Sequence, residues 1–269
     1  MSKVYVLRTC NPDLTSHEGF QWPESGFVEA PDWKVTGDCG NGLHGLLNGI
    51  GDGWYLSWAD NAKFLVVETT NDPSVFEDLK DKCKFKSGNV VFCGNKDDAI
   101  NHLVSLTGIR DRVVGITNTA GDRGTAVVGD RGTATAGYRG IAVAGNGGTA
   151  TVGNWGTAEA GDWGTATAGI RGTATAGYHG TATAGNYGTA TAGDRGKAMA
   201  GDYGTATVAN YGVAVAGTDG KAAADLLGEL HIAYYDDDRR RTAVAYVGEN
   251  DIKPNTPYRL NKNHQFVEA

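Results

Sequence analysis

The stretch Gly129-Asp130-Arg131-Gly132-Thr133-Ala134-Thr135-Ala136 is one copy of an eight-residue phrase that runs from residue 121 to 224 without an insertion. Thirteen copies follow the pattern Gly-x-x-Gly-Thr-Ala-x-Ala, with Gly at the fourth position and Ala at the sixth in every copy. A fixed period of this kind is typical of a stack of near-identical units. The array therefore decides the architecture of the middle of the chain.

Within each copy, two glycines flank two variable residues, and four residues with alternating side-chain directions follow. This order is typical of a tight turn and a short strand. We expect the small apolar sixth and eighth positions to face inward and the Thr-rich fifth and seventh to face outward, because a Thr-lined interior would have to satisfy every hydroxyl group internally. Since eight residues are too few to enclose a core, two octads are predicted to form one coil. The predicted fold class is mainly β, a β-solenoid (β-helix) of octapeptide repeats with two octads per coil, an N-terminal α+β domain and a small C-terminal β cap.

The predicted solenoid covers residues 113–224, between an N-terminal α+β domain (1–112) and a C-terminal β-hairpin cap (225–269). Caps are expected because the open ends of a parallel stack are templates for aggregation. Hydrophobic patterning predicts N-terminal strands at Val4–Leu7, Phe64–Glu68 and Val90–Cys93, and helices at Val75–Lys82 and Lys96–Leu106. In the cap, the runs Glu229–Tyr235 and Arg241–Val247 flank a charged turn and predict a hairpin.

The octad resembles the repeat of bacterial ice-nucleation proteins, which implies sixteen-residue β-solenoid coils carrying Thr-x-Thr rows and an aromatic ladder. The tail segments Lys253–Arg259 and Phe266–Glu268, with the element Gly42-Leu43-His44, resemble a group of largely phage and prophage proteins. In that group the array follows an N-terminal domain, and the resemblance implies no settled activity.

Outward-facing threonines are predicted to form rows on the solenoid. One face carries Thr133, Thr135, Thr149, Thr151, Thr165, Thr167, Thr181 and Thr183 before Lys197 and Val213 interrupt it. The opposite face is interrupted by Ile141 and Glu159. A flat grid of hydroxyl and methyl groups is suited to ordered water or ice, but the interruptions favour a scaffold over an ice-binding surface.

The third position of alternate octads forms a column, here called the turn ladder. Its members are Arg123, Arg139, Trp155, Arg171, Tyr187 and Tyr203. Arg and aromatic planes stacked at strand spacing attract each other. The ladder either stabilises the turns or forms a seam for self-association or a partner. Asn and Asp at the second position are predicted to stabilise the turns through side-chain to backbone bonds.

An aromatic cluster marks the N-terminal domain, comprising Trp22, Trp33, Trp54, Tyr55 and Trp58. Aromatic residues at this density form either a ligand or partner pocket or the core of a small domain. The four cysteines are Cys10, Cys39, Cys83 and Cys93, and we expect reduced thiols because the chain begins without a secretion signal. Their spacing does not support a metal site, so neither a metal nor a cofactor is predicted.

A second, looser resemblance concerns the same domain. Arg8, Gly42-Leu43-His44 and Gly53-Trp54-Tyr55-Leu56-Ser57, ahead of Ala62–Glu68, loosely resemble ADP-ribosyltransferase folds. That resemblance implies that an Arg or His anchors a dinucleotide, a Ser supports it and a Glu stabilises the transferring sugar. Arg8, His44 and Glu68 are the catalytic candidates under this hypothesis. The chain departs from the pattern because it lacks a Glu-x-Glu motif.

Charge and hydropathy limit the classes of function. The formal net charge is −7 and no basic stripe is present, so nucleic-acid binding is not predicted. No apolar run is long enough to span a bilayer, so we predict no membrane association and a location in the host cytoplasm, or in the virion for a phage structural protein. The predicted function is that of a phage-related, non-enzymatic structural or protein-interaction protein, in which a rigid solenoid is an assembly scaffold or spacer. Self-association as a dimer or trimer and binding of a host protein by the N-terminal module are expected, with ice binding and an ADP-ribosyltransferase-like domain as alternatives.

Overall fold

The octapeptide array folds as a β-solenoid in the computed structural model, which describes residues 2–16, 19–72 and 76–269. The chain divides into two units, Met1–Ile116 and Thr117–Ala269. Residues 225–269 therefore belong to the same unit as the array. The N-terminal unit is a mixed α and β structure, and the C-terminal unit is built from β-strands and turns.

The N-terminal unit contains an antiparallel sheet and an α-helix. Their bounds are β1 (Lys3–Cys10), β2 (Gly26–Glu29), β3 (Leu43–Leu47), β4 (Lys63–Thr70), β5 (Phe76–Asp78), β6 (Cys83–Phe85), β7 (Ser87–Gly94) and α1 (Lys96–Thr107), with a 3₁₀ turn at Gly53–Tyr55. The strand order is β2-β7-β4-β1-β3-β6-β5. Val6, Leu65 and Phe85 belong to a buried core on one face, and α1 contacts β1, β4 and β7 through buried Ile100 and Leu103.

Most of the predicted N-terminal elements lie within observed ones, since the three strands fall inside β1, β4 and β7. Helix α1 begins after Asn95, whose side chain accepts the Asp98 N–H at 2.9 Å, and ends at the left-handed Gly108. The helix predicted at 75–82 is wrong. Phe76 instead pairs with Phe85 across the antiparallel strands β5 and β6 in the core, and this burial overrides the local helical spacing. Val75 lies outside the described residues.

Two sheets of the C-terminal unit form the walls of the solenoid, and successive strands alternate between them. The strands are β8 (Thr117–Ala120), β9 (Thr125–Val127), β10 (Thr133–Ala136), β11 (Ile141–Ala144), β12 (Thr149–Val152), β13 (Thr157–Ala160), β14 (Thr165–Ala168), β15 (Thr173–Ala176), β16 (Thr181–Ala184), β17 (Thr189–Ala192), β18 (Lys197–Ala200), β19 (Thr205–Val208), β20 (Val213–Ala216), β21 (Lys221–Ala224) and β22 (Glu229–Asp236). Among these strands, the even-numbered ones form one sheet and the odd-numbered ones form the other.

The register of the parallel strands gives the size of the coil. Thr133 lies opposite Thr149, and Ala134 lies opposite Ala150, so one coil contains sixteen residues and the predicted two octads. Ala134 and Ala150 are fully buried, which confirms the inward direction of the sixth position. The stack also extends beyond the thirteen octads, because β8 pairs with β10 and β22 pairs with β20.

The third position of the octad adopts a left-handed backbone conformation. Trp155 has a φ of 61° and Tyr187 a φ of 59°, and the equivalent residues of the other coils have similar values. This region costs a non-glycine residue about 1–2 kcal/mol, and Asn, Asp or Gly would ordinarily occupy it. Bulky residues are therefore present at the strained position for a reason other than backbone preference.

The glycines at the first and fourth positions serve close packing between coils rather than positive φ. A methyl group at Gly145 would lie 2.3 Å from Oδ1 of Asp130 in the preceding coil. One at Gly148 would lie 2.9 Å from Cβ of Ala144 and 3.0 Å from the carbonyl oxygen of Gly132. Stacking at strand spacing leaves no room for a side chain at Gly145 or Gly148, although Ala209 occupies the first position of a later copy.

Each sheet of the solenoid ends in an antiparallel hairpin. Strand β22 pairs with β23 (Arg239–Tyr246) through a two-residue turn, Asp237-Asp238, and β21 pairs with β24 (Tyr258–Leu260), which pairs with β25 (Phe266–Glu268). The hairpin turn is tighter than the charged turn predicted from the sequence, since Arg239 already pairs with Asp236. Antiparallel hairpins end the parallel ladder, and the charged side chains at the start of β23 oppose further pairing.

Candidate functional site

From Arg139 to Tyr203, the turn ladder is a continuous column of stacked Arg and aromatic side chains. The guanidinium carbon of Arg139 lies 5.8 Å from the ring centroid of Trp155. Arg171 lies 4.8 Å from the same ring and 5.3 Å from the ring of Tyr187. An exposed cation–π contact contributes about 0.5–1 kcal/mol. The contacts along the column therefore offset part of the strain in the left-handed turns.

Two tyrosines continue the ladder toward the C-terminal end. The rings of Tyr187 and Tyr203 stack at 5.0 Å with an interplanar angle of 6°. The negative charge of Asp219, the next residue in the column, raises the pKa of Tyr203. Arg123 lies at the other end of the column, and its backbone N–H donates to the carbonyl oxygen of Tyr138 at 2.8 Å. The aromatic members remain half exposed, at 46% for Trp155, 53% for Tyr187 and 55% for Tyr203.

The third positions of the remaining octads form a second column with a break. Trp163 stacks on His179 at 4.2 Å, and Arg195 lies 5.8 Å from the ring of Tyr211. Gly147 occupies the position before Trp163 and interrupts the column. The two edges of the solenoid thus differ, and the longer uninterrupted stack is on the turn ladder.

Asn and Asp at the second position make a ladder that joins consecutive coils. Oδ1 of Asp130 accepts the N–H of Asn146 at 2.8 Å, and Oδ1 of Asn146 accepts the N–H of Asp162 at 2.9 Å. Each bond spans sixteen residues. The predicted side-chain to backbone bonds are therefore present, and they join consecutive coils because each acceptor reaches the N–H of the next coil.

A grid of threonines covers the sheet that contains β10, β12, β14 and β16. The rows with Thr133, Thr149, Thr165 and Thr181 lie opposite one another in register. A fifth row precedes them: Thr117 pairs opposite Thr133, and the adjacent Thr119 opposite Thr135. This row was missed because its strand lies ahead of the regular array, although Thr-Asn-Thr-Ala at 117–120 contains the signal. Threonine pairs about 6.8 Å apart thus repeat at strand spacings of about 4.8 Å.

The N-terminal unit contains a cavity of about 780 Å³. Arg8 from β1, His44 from β3 and Lys82 from the segment before β6 line it, together with Trp22 and Tyr55. Antiparallel pairing of β1 with β3 and of β3 with β6 brings these distant residues together. The cavity therefore combines two cations with aromatic walls.

Arg8 lines this cavity and contacts several of its neighbours. Its guanidinium covers the ring of Trp22 at 3.8 Å, and its Nη atoms donate to the carbonyl oxygens of Thr9 at 3.0 Å and His44 at 3.4 Å. Nε is buried and has no hydrogen-bond partner among the described residues, although the residue as a whole retains some exposure. Burial lowers the pKa of Arg8 to about 10, so the group remains a cation at neutral pH.

His44 is held in the neutral form. Burial, and then the positive charges of Lys82, Arg8 and Lys84, lower its pKa to about 4. The ring accepts the backbone N–H of Gly40 through Nε2 at 3.3 Å. The sequence candidates Arg8 and His44 therefore share one site, where His44 contributes a hydrogen-bonding group rather than a charge.

Glu68 does not join Arg8 and His44. It pairs with Lys3 at 3.0 Å and accepts a hydrogen bond from Tyr5 at 3.4 Å. Tyr5 lies opposite Glu68 in the register of β1 and β4, whereas Arg8 lies opposite Leu65. An odd offset places Glu68 on the other face of the sheet from Arg8. The arrangement that the transferase resemblance implies is therefore not assembled from these three residues.

The aromatic cluster is dispersed over several environments. Trp22 is buried, with its Nε1–H donating to Ser16 at 3.0 Å, and Tyr55 lines the cavity beside Lys82. Trp33 packs beside Gly42. Trp58 lines a separate cleft in front of α1, and Trp54 is 63% exposed. Part of the cluster is thus core and part is surface, and two members belong to the cavity.

Lys84 is a buried cation that the sequence does not single out. Its side chain is fully buried, pairs with Glu77 at 3.1 Å and donates to Oγ1 of Thr36 at 3.0 Å and the carbonyl oxygen of Asp38 at 3.1 Å. These bonds tie the segment around residues 36–38 to β6. Alternation along a three-residue strand is too short a signal to predict that a lysine faces inward.

All four cysteines are free, and Sγ of Cys39 lies 2.8 Å from Nζ of Lys82. Over residues 2–16, 19–72 and 76–269, no group of three or more His, Cys, Asp or Glu side chains is arranged to hold a metal ion. Nor does any helix in this part of the chain have the length and apolar character needed to cross a membrane.

Comparison with known proteins finds different similarities for different parts. Residues 4–102 match a family described as "Domain of unknown function (DUF7666)". Over 101 residues, 38% of the chain, the sequence is 38% identical to an ice nucleation protein of Pseudomonas fluorescens, of which the match covers 8%. It is 35% identical over 105 residues to one of Xanthomonas campestris pv. translucens, covering 39% of the chain and 7% of that protein. It is also 34% identical over 102 residues to ice nucleation protein InaU of Pantoea ananas, covering 38% of the chain and 10% of that protein.

No solved structure matches the chain. The chain spans at most about a tenth of the length of the three ice nucleation proteins that it matches. Their similarity and the solenoid together confirm the predicted resemblance to the ice-nucleation repeat. The protein is a structural repeat protein with a β-solenoid.

Proposed function

We propose that this structural repeat protein uses its solenoid as a rigid assembly scaffold and associates with a second copy through the turn ladder. The half-exposed stack of Trp155, Tyr187 and Tyr203 carries the proposal. Contiguous exposed aromatic residues are characteristic of interaction surfaces. A ladder with constant spacing is self-complementary, because each residue meets an equivalent neighbour across a twofold axis.

The backbone supports a role beyond turn formation. Left-handed third positions would be satisfied at lower cost by Asn, Asp or Gly, as Gly147 and Asp219 illustrate. Aromatic residues at this position instead keep a strained conformation and expose their rings. Burial of those rings against a second chain would recover hydrophobic energy that the single chain leaves unused.

The test compares two sets of substitutions at equivalent positions. Trp155→Asn, Tyr187→Asn and Tyr203→Asn remove the rings of the turn ladder while keeping a residue that tolerates positive φ. Trp163→Asn, His179→Asn and Tyr211→Asn make the same change in the second column. Light scattering and sedimentation of the full chain are expected to give an oligomer for the wild type and the second-column variant, and a monomer for the turn-ladder variant.

A monomeric wild type at micromolar concentration would contradict this proposal. Equal oligomerisation of both triple variants would also contradict it, since the seam would then lie elsewhere. Far-ultraviolet circular dichroism checks that the variants keep their β structure.

We also infer that the N-terminal unit engages a partner protein, in a host cell if the phage-type resemblance extends to function. Exposed apolar side chains support this, namely Phe27 at 64%, Val35 at 60% and Trp54 at 63%. Capture from host lysate with the full chain tests it. One protein should be retained by the wild type and by a Tyr246→Ser control, and it should be lost with Phe27→Ser and with Val35→Ser. Equal recovery with all variants would contradict partner binding through these side chains.

A second candidate function is binding of ice or ordered water, which the five-row threonine grid favours and which the names of the ice nucleation relatives suggest. Thr149→Lys with Thr165→Lys places charges in the middle of that grid. Thr175→Lys with Thr191→Lys is the matched control on the opposite sheet. Inhibition of ice recrystallisation by the wild type and the control, and its loss in the grid variant, is expected; an inactive wild type would reject the function.

A further inference from the structure

Among residues 2–16, 19–72 and 76–269, no carboxylate pairs with the guanidinium of Arg8. The guanidinium contacts two carbonyl oxygens and the ring of Trp22, and Nε has no hydrogen-bond partner among the described residues. A guanidinium has five N–H donors in a planar fork. Each Nη carries two N–H groups and donates one bond to a carbonyl oxygen, so one N–H on each Nη remains for a bound acceptor.

The cavity around Arg8 has a small positive balance of charge. Arg8 and Lys82 are its cationic lining residues and Asp32 its anionic one in the part of the chain that the structure describes. His44 adds no charge at neutral pH because its pKa is about 4. The net charge of one positive unit matches a singly charged anion better than a doubly charged one.

We propose that this cavity binds an organic carboxylate, with the carboxylate group on the guanidinium fork of Arg8. The planar fork matches a carboxylate in two parallel N–H···O bonds. Lys82, whose Nζ lies 4.4 Å from the ring of Tyr55, adds a second positive charge on the cavity wall. This inference concerns the N-terminal unit alone and does not depend on association through the turn ladder.

The rest of the cavity suits an apolar body attached to the carboxylate. Phe20, Leu43, Tyr55 and Leu56 line it, and the volume of about 780 Å³ exceeds what a bare carboxylate would fill. Ligand cavities of such size are usually apolar with a few polar groups that fix orientation. The ligand class is therefore an acid with a hydrophobic side group, either a free small acid or the C-terminus of a polypeptide.

Titration of the full chain with N-acetylphenylalanine and with N-acetylphenylalaninamide tests the charge requirement, because the two compounds differ only at the carboxyl group. The acid is expected to bind at least about tenfold more tightly. Arg8→Gln should abolish the difference, and Arg8→Lys should retain only part of it because Lys lacks the fork. Lys34→Gln removes an exposed positive charge from the same unit and should leave binding unchanged.

A thermal melt shows whether Arg8→Gln still folds. If it does not, Lys82→Gln on the cavity wall decides, with an expected weakening of about two- to fivefold relative to Lys34→Gln. Equal binding of acid and amide, no binding of the acid at millimolar concentration, or equal effects of Lys82→Gln and Lys34→Gln would overturn the proposal.

Two further binding measurements identify the class of ligand. Inorganic phosphate that binds more tightly than the acid would overturn the carboxylate assignment. A Gly-Gly-Ser-Gly-Phe peptide with a free C-terminus that binds more tightly than N-acetylphenylalanine, and more tightly than its amidated form, would support a polypeptide terminus as the source. Weaker binding of the free peptide than of N-acetylphenylalanine would support a free small acid.

Discussion

The side-chain oxygen of Asn146 accepts the backbone N–H of Asp162 at 2.9 Å, and the two residues occupy the same position in consecutive coils. The same bond recurs at other second positions that are Asn or Asp. Asp130 accepts the N–H of Asn146, and Asp162 accepts the N–H of Tyr178. They connect coils along the turns, where the strand ladders do not reach. The solenoid is therefore joined at its edges as well as through its sheets.

Removal of one such acceptor should weaken the stack. Asn146→Ala is expected to lower the free energy of unfolding by about 1 kcal/mol, because the Asp162 N–H loses its partner. Urea denaturation measures the change. Ile170→Ala is the control, since Ile170 occupies the same octad position, is 48% exposed and offers no acceptor; it should change stability by less than about 0.5 kcal/mol.

Neighbouring glycines of one turn should respond differently to substitution. Gly148→Ala is expected to destabilise the solenoid by about 1–3 kcal/mol, because its methyl group would meet Ala144 and the carbonyl of Gly132 at 2.9–3.0 Å. Gly147 has a φ of +62°, and a Cβ added there would lie 3.4 Å from Cγ of Arg131, so Gly147→Asn should be nearly neutral. Thermal unfolding of the two variants checks this, and a larger loss for Gly147→Asn would contradict the packing argument.

The buried Lys84–Glu77 pair should show strong coupling in a double-mutant cycle. Lys84→Met alone is expected to cost about 3 kcal/mol, because it leaves the carboxylate of Glu77 largely buried without its partner. Combined with Glu77→Gln, the loss should be smaller than for Lys84→Met alone. Hydrogen exchange of β6 amides reports the stability of this region. Additive losses would mean that the two side chains act independently.

His44 should make the N-terminal unit less stable in mild acid. Its folded pKa of about 4 lies below the value of about 6.5 for an exposed histidine, so unfolding takes up a proton between those values. The contribution of neutral His44 to the free energy of unfolding is fully present above about pH 6.5 and falls as the pH is lowered toward 4. It amounts to at most about 2 kcal/mol, because the ring is partly exposed.

Unfolding free energies at pH 7 and pH 5 measure this dependence. His44→Gln keeps an acceptor for the Gly40 N–H and should flatten the pH dependence, whereas the control His102→Gln retains His44 and should keep the wild-type slope. An unchanged slope in His44→Gln would refute the assignment.

Much of the solenoid follows from the sequence alone. The eight-residue period, the invariant Ala at the sixth position and the outward Thr predict a two-octad coil, and the register of Thr133 with Thr149 confirms it. Local periodicity is sufficient here because each coil contacts mainly copies of itself. The same reasoning predicts β1, β4, β7 and α1, whose patterns are long enough to be distinctive.

Other features depend on contacts between segments that local patterns do not specify. The second-position side chains reach the next coil, the glycines make room for that coil, and Thr117 extends the grid only because β8 pairs with β10. The period alone leaves each of these partners undetermined.

The candidate site of the N-terminal unit shows the division most clearly. The sequence by itself supplies Arg8, His44 and Glu68 as chemically capable residues, and it predicts a strand that ends just before Arg8 and a strand that contains Glu68. Only the tertiary structure decides that Arg8 and His44 meet Lys82 in one cavity while Glu68 pairs with Lys3. The physical reason is the sheet register, because side chains alternate between the two faces and an odd offset along β1 and β4 sends Arg8 and Glu68 to opposite sides.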